Sequence, residues 1–175
     1  RVLEQFLQAN PSAPAPQFLL DAFKGESRDS APREYTQGLF DGYAKTFEKD
    51  LTEKLEYRIP TKLRELLSEV VPGALQYANV LDIGCGTGLS GEAFHSISTR
   101  LTGIDLSPAM LVKAGEKGLY DNLLAGDAVE LIRNSTETFD LVISCDALPY
   151  MGDLVPLFTA VATVTAAGGH FLCTT

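Results

Sequence analysis

The 175-residue chain contains no apolar run near the ~20 residues that a membrane-spanning helix requires, so a membrane partner is not expected. Its first stretch, RVLEQFLQANPSAPAP, lacks the uninterrupted apolar core of a secretory signal. Cysteine is scarce. Cys85, Cys145 and Cys173 are odd in number, show no metal-type spacing, and each lies in or beside an apolar run. Reduced, buried side chains are the expected reading, which fits a cytoplasmic location. Basic residues are also in short supply: 14 Lys and Arg face 23 Asp and Glu, for a net charge of -9. Such a surface repels phosphate backbones, so no nucleic-acid partner is expected. No group of His, Cys, Asp and Glu has metal-ligand spacing, and no metal site is predicted.

What remains is a globular composition, 45% hydrophobic and 21% charged, long enough for one domain with a core or one domain plus an appendage. Residues 10–34 hold four of the nine prolines and the polar stretch KGESRDSAPRE, so residues 1–34 read as a proline-rich arm. Inside it QFLLDAF, 17–23, is an apolar island fit to dock as one or two helical turns. From Tyr35 a four-residue stripe of Leu39, Tyr43, Phe47, Leu51 and Leu55 predicts an amphipathic helix. Pro60 suits the start of another, with Leu63, Leu66, Leu67 and Val70 on one face and Pro72-Gly73 as its end. Residues 35–74 thus read as a helical cap.

From 75 onward the period changes. Strands are predicted near 79–83, 101–105, 122–126, 139–145 and 169–174, with helices near 88–97, 108–118 and 153–166. Ser107-Pro108 supplies an N-cap and a first-turn proline. Alternating strand and helix predicts an α/β fold with a parallel sheet and right-handed crossovers. Gly84, Asp105, Asp127 and Asp146 fall at strand C-terminal ends, where open α/β sheets bind ligands.

The stretch NVLDIGCGTGLSG admits two readings. Gly86, Gly88 and Gly91 fit G-x-G-x-x-G, and Asp105 lies 19 residues beyond Gly86, near the offset of an NAD ribose acid. A nicotinamide-dependent oxidoreductase is therefore one alternative. The strand, however, ends at Ile83, which makes the motif D-x-G-x-G-x-G with Asp82 in the strand terminus. An acid there is a poor neighbour for a pyrophosphate and a good one for an ammonium. S-adenosylmethionine offers an ammonium, a carboxylate, a sulfonium and a ribose diol. Glycines would let the backbone close on its methionine part, and the next helix N-terminus favours its carboxylate.

In its motifs the chain resembles the class I S-adenosylmethionine-dependent methyltransferases. VLDIGCGTG looks like their first motif, LTGIDLSPAMLVKA like the second strand and next helix, and LLAGDA like the third motif. FDLVISCDALPYMGDL resembles the fourth strand and its loop, and GGHFLCTT the fifth strand. The resemblance implies a Rossmann-like parallel sheet with flanking helices and the N-terminal helical cap. It implies a cofactor site of Asp82, Gly84, Cys85, Gly86 and Gly88 at the first loop. Asp105 would hold the ribose, with Leu106 beside it. Asp127 would meet the adenine amino group, Ala128 would lie along the ring, and Cys145 would stand where cofactor and acceptor meet. Asp146 and Tyr150 follow the fourth strand with Cys145 at that same meeting point, and the backbone of all three is expected at the site. Tyr43 lies on the apolar stripe, where core packing is the default, and is a candidate cover for the cofactor. Tyr57 and Arg58 are candidates to close over the methionine end, or an ordinary helix-start pair. LFDGYAKTFEKDLTEKLEYRIPTKL also resembles the cap of small-molecule methyltransferases that carry upstream tetratricopeptide repeats.

The sequence supplies no clear general base. His95 falls in the helix after the loop and His170 in the fifth strand, both positions that suit structure better than proton transfer. The NPPY-type loop of many enzymes that methylate amino groups of nucleic-acid bases or glutamine is replaced by SCDALPY, which favours a small-molecule acceptor. Class I methyltransferases usually add an antiparallel strand pair after the fifth strand. The sequence stops at Thr175, so a C-terminally truncated core is the expectation. A noncatalytic methyltransferase-like module that recruits a partner through residues 1–70 is the other alternative, and the oligomeric state is left open.

Overall fold

Near-continuous apolar runs buried on both faces are the mark of a central parallel strand, and two stretches meet it. Val80–Ile83 and Leu141–Ser144 are buried without interruption in a computed structural model that describes residues 2–26, 31–73 and 76–175. They belong to β1 (Tyr77–Ile83) and β4 (Phe139–Ser144), which pair directly, Leu81 opposite Val142. β2 (Ser98–Asp105), β3 (Asn122–Ala125) and β5 (Thr165–Cys173) complete an all-parallel sheet of order β3-β2-β1-β4-β5. The order reverses between β1 and β4. The chain winds outward from β1 through β3 and then crosses back, leaving a crevice above the C-terminal ends of β1 and β4.

Helices cover both faces. α5 (Ile59–Val70) and α6 (Leu89–Phe94) press Leu63, Leu67 and Phe94 onto Val80, Leu101 and Leu141. On the other face α8 (Ala128–Arg133) and α9 (Val155–Val164) bring Ile132, Leu157 and Val161 against Leu81, Ile83 and Val142. Each fully buried Leu, Ile or Phe contributes roughly 1.5–3 kcal/mol relative to exposure. α7 (Pro108–Glu116) runs beside β2 and β3, capped by Ser107, whose Oγ accepts from Met110 N at 3.1 Å. The strands and helices predicted from residue 75 onward are all present, with shifted ends. α8, only six residues long, was not anticipated.

The N-terminal third departs further from expectation. Residues 1–34 read as an arm, yet α1 (Val2–Ala9) and α2 (Pro14–Phe23) are helices, and Pro14 and Pro16 fall at or near the start of α2. Proline has no N–H to lose in a first turn, so the signal taken for a linker marks a helix start. The stripe from Leu39 to Leu55 forms no single helix. α3 (Arg33–Tyr43) stops, a turn intervenes, and α4 (Phe47–Lys49) runs into a wide π-helical turn, Asp50–Lys54. Leu39 and Leu55, the ends of the stripe, are exposed, as are Leu66 and Val70 on α5. Residues 27–30 of the polar stretch, and the 74/75 boundary between cap and core, lie outside the described residues. No helix among the described residues is long and apolar enough to cross a membrane.

Asp82 corrects the sequence reading most clearly. It was expected to face a ligand's ammonium, but it is fully buried behind the glycine loop. Ser90 Oγ and Tyr120 Oη both donate to Asp82 Oδ2, at 2.5 and 2.6 Å, while Oδ1 makes no hydrogen bond within the protein. Burial pushes this carboxyl up to about 6, with the Asp105 charge adding to it and the two donors opposing. Tyr120 reaches Asp82 through space that glycines leave open. A Cβ on Gly91 would lie 2.6 Å from its ring, one on Gly103 2.9 Å, and one on Gly88 3.2 Å.

The raised value has a definite sign in folding. The folded carboxyl titrates near 6 and the unfolded one near 3.8. This group's stabilisation is therefore complete below about pH 4 and is lost as pH rises through about 6, a loss of roughly 3 kcal/mol. Asp82→Asn does not ionise, so wild type should lose stability relative to this variant between about pH 4 and about pH 7.5. Denaturation midpoints of the two proteins that run parallel across that range would refute the assignment.

Candidate functional site

The crevice is built from three turns at the C-terminal ends of β1, β2 and β3. The first must reverse sharply, and Gly84, Gly86 and Gly88 take φ of +72°, +53° and +89°, a region costly for other residues. Gly84 N and Cys85 N both donate to Ile104 O, at 2.8 and 3.0 Å, which pins the loop to the end of β2. Asp105 closes the second turn. Its Oδ2 accepts from Gly86 N and its Oδ1 from Ser107 N, each at 2.8 Å. Burial raises the pKa of this carboxyl, and those two backbone donors act against the rise. Asp127 ends the third turn as the N-cap of α8, accepting from Glu130 N at 3.0 Å.

These turns floor a cavity of about 580 Å³, a size that suits a nucleoside-scale ligand. The cap roofs it. Phe40 and Phe47 lie 6.1 Å apart between ring centres, and Phe40 meets Tyr150 edge-on at 5.0 Å. Asp41 on α3 accepts from Ser107 Oγ at 2.5 Å and from Ala109 N at 3.3 Å, clasping the cap to the first turn of α7. Arg33 pairs with Glu130 of α8 at 3.1 Å, and Lys117 with Glu48 of α4 at 3.0 Å. Exposed pairs of this kind contribute at most about 1 kcal/mol each, so the cap is held by several weak contacts and its aromatic underside.

Eight of the expected residues line this one cavity: Gly84, Cys85, Gly86, Asp105, Leu106, Asp127, Ala128 and Cys145. Three do not. Asp82 lies in the core, held by Ser90 and Tyr120. Gly88 is the left-handed N-cap of α6 and packs against Tyr120 and Ala114. Tyr43 turns away, its ring edge-on to Phe47 at 5.3 Å and its hydroxyl hydrogen-bonded to Asp50. Phe47, which the stripe assigned to core packing, takes the covering position proposed for Tyr43, and Phe40, off the stripe, joins it. His95 is exposed, with Nδ1 2.9 Å from Leu119 O, and neither histidine lines the cavity. No metal-binding cluster occurs among the described residues.

Beyond β4 the wall changes character. Asp146 has φ +55°, unusual for a non-glycine residue, and such a conformation costs on the order of 1–3 kcal/mol unless its surroundings hold it. Thr174 supplies that hold: its Oγ1 accepts from Asp146 N and donates to Asp146 Oδ1, both at 2.8 Å. Tyr57 of the cap lies near Asp146. Burial, and then the charge of Asp146, push its phenol above the ordinary range.

The glycine at the loop's entry offers a direct check. A Cβ on Gly84 would fall 2.3 Å from Ala147 Cβ, and the positive φ adds backbone strain. Gly84→Ala should therefore destabilise the fold by about 1–3 kcal/mol, read as a lower denaturant midpoint. An unshifted midpoint would mean that the loop is not packed this tightly.

Comparisons with known proteins agree with this architecture. Residues 81–173, more than half of the chain, match the family described as "Methyltransferase domain". Human methyltransferase-like protein 27 is 34% identical over 111 residues, covering 62% of this chain and 45% of that protein. The bovine 18S rRNA (guanine-N(7))-methyltransferase is 42% identical over 72 residues, covering 41% of this chain and 26% of that protein. The chain thus spans less than half the length of these curated relatives. Among solved structures, an S-adenosylmethionine-dependent methyltransferase from Clostridium acetobutylicum superposes with a TM-score of 0.61 at 27% identity. That match covers 76% of this chain and 56% of the other. The fold is the Rossmann-like one of class I methyltransferases, and the chain belongs to the methyltransferase domain family.

Proposed function

We propose that this chain binds S-adenosylmethionine in the cavity above β1–β3 and transfers its methyl group to a small-molecule acceptor. The observation that carries the reading is Asp105. Its two oxygens accept backbone N–H groups from both flanking turns, yet the residue lines the cavity, so each oxygen keeps a free lone pair. Two such acceptors side by side match the two hydroxyls of a ribose. Gly86 fits the same ligand: a Cβ there would meet only Phe47 Cε1, at 3.9 Å, so the loop leaves room for close approach. Leu106 and Ala128 supply apolar surface for a purine, with Asp127 at its edge.

The wall is acidic, which suits a cationic cofactor. Among the described residues Asp105, Asp127, Asp146 and Asp153 line the cavity, against one basic residue, Arg33, already paired with Glu130. A dinucleotide pyrophosphate would meet carboxylates without a counter-cation, which sets the oxidoreductase reading aside. The cofactor, when bound, supplies a methyl group on a sulfonium. This chain's part is to place an acceptor in line with it behind the closed cap, and such placement contributes of order 7–11 kcal/mol in favourable intramolecular cases. An acceptor small enough to sit under the cap, rather than RNA, is favoured by the net charge of -9.

The remaining sequence expectations form part of the same proposal. They are a cap over 35–74 laid on a core over 75–175, kinship with the tetratricopeptide-associated type, and a cytoplasmic site of action consistent with three free cysteines.

Calorimetric titration tests the core of it. S-adenosylhomocysteine should bind in the micromolar range and NADH should not, and Asp105→Ala should weaken the first by at least about tenfold, the loss of charge-assisted hydrogen bonds. Preference for NADH, or unchanged affinity in the variant, would overturn the reading.

A further inference from the structure

The strand order divides the cavity. Gly86, Asp105 and Asp127 follow β1, β2 and β3, so the cofactor contacts assigned above occupy that side of the sheet. The other side, over β4 and toward β5, is left for the acceptor. We propose that the acceptor is a small primary or secondary amine with an apolar body, and that Asp146 is the residue that receives its ammonium group. The proposal rests on the methyl-transfer reading and adds the acceptor's chemistry to it.

Three features carry it. Asp146 is fixed rather than incidental: Thr174 grips both its backbone N–H and its Oδ1, and Tyr57 of the cap lies close enough to feel its charge. With Asp105 and Asp127 committed to the nucleoside, Asp146 is a carboxylate on the wall, and Arg33, the one basic side chain among the described lining residues, is held by Glu130. Phe40 and Tyr150, edge-on to each other at 5.0 Å, line the same cavity and favour a cation and an apolar body alike. A carboxylate or phosphate acceptor would be repelled here, and a neutral alcohol would gain only an uncharged hydrogen bond.

The chemistry agrees. Neither histidine lines the cavity, and the proton acceptors among the described lining residues are carboxylates, weak bases for the proton of an alcohol. An ammonium gives up its proton far more readily, to the Asp146 carboxylate and from there to water. The freed nitrogen lone pair forms the new N–C bond with the methyl carbon as the C–S bond breaks with its electrons to sulfur. The products are the N-methylammonium and a neutral thioether.

The test uses three isosteres that differ only in their polar group, 2-phenylethylamine, 2-phenylethanol and phenylacetate, titrated into the full chain saturated with S-adenosylhomocysteine. The amine should bind at least about tenfold more tightly than the alcohol, and phenylacetate should not bind. Asp146→Asn is the decisive variant. Asparagine tolerates the left-handed backbone and can still accept from Thr174, so it removes the charge and keeps the fold. It should cost the amine about tenfold in affinity while leaving S-adenosylhomocysteine affinity and melting temperature unchanged. Binding of the alcohol or the acid as tight as that of the amine, no binding of the amine, or an unaffected Asn variant would overturn the proposal. Failure of S-adenosylhomocysteine itself to bind would instead overturn the methyl-transfer reading.

Discussion

The site depends on one carboxylate placed between two turns. Asp105 accepts from Gly86 N and Ser107 N, so the loop after β1 and the turn after β2 are held by the same group. Ser107 in turn donates to Asp41 of α3, which brings the helical cap to the same point. A chain of short hydrogen bonds therefore runs from β1 to the cap through a residue that also faces the cavity. Because burial makes ionisation of Asp105 costly, its two backbone donors are what allow it to be used as an anion there.

Charge is distributed unevenly and to a purpose. Among the described residues the cavity wall holds several carboxylates and one already-paired cation, an arrangement that raises the cost of every empty state and lowers it when positive charge enters. Asp82 follows another logic. It is removed from the wall, held by Ser90 and Tyr120, and ties the floor of the loop to the chain ahead of β3. Two acids only 23 positions apart thus do different work, one facing the ligand space and one supporting the loop that bounds it.

Much of this was readable from the sequence because strand ends and positive-φ glycines leave local signals. Gly84 and Gly86 fall where the D-x-G-x-G-x-G register places them, Asp105 ends β2, and Asp127 lies two residues beyond β3. The same register misplaced Asp82. A motif records position along the chain, whereas its carboxylate is turned inward by partners 8 and 38 residues away. The cap was harder. Its four-residue stripe predicted one helix, but nothing in residues 44–46 announces a break, and that break decides whether Tyr43 or Phe47 faces the cavity. The prolines of the arm carry two meanings, linker or first helical turn, and only the packing of α2 distinguishes them. Asp146 is expected from the sequence at the site with Cys145 and Tyr150, but its grip by Thr174 is a long-range fact that spacing does not encode.

The ring of Tyr120 gives the glycine pattern a second meaning. It occupies volume that Gly88, Gly91 and Gly103 vacate, and of these only Gly88 belongs to the nucleotide-loop register D-x-G-x-G-x-G. Gly91, which completes a dinucleotide-like fingerprint on paper, is therefore small on account of an aromatic ring rather than a phosphate. Drift at these positions is coupled. A bulkier residue at 91 becomes tolerable only once the ring shrinks, one at 103 must also displace Cys85 Sγ and Leu123, and a smaller residue at 120 strips a donor from Asp82. Sites on two strands, a helix and a loop must consequently change together, and a motif that reads as a record of ligand binding is in part a record of one tyrosine's shape.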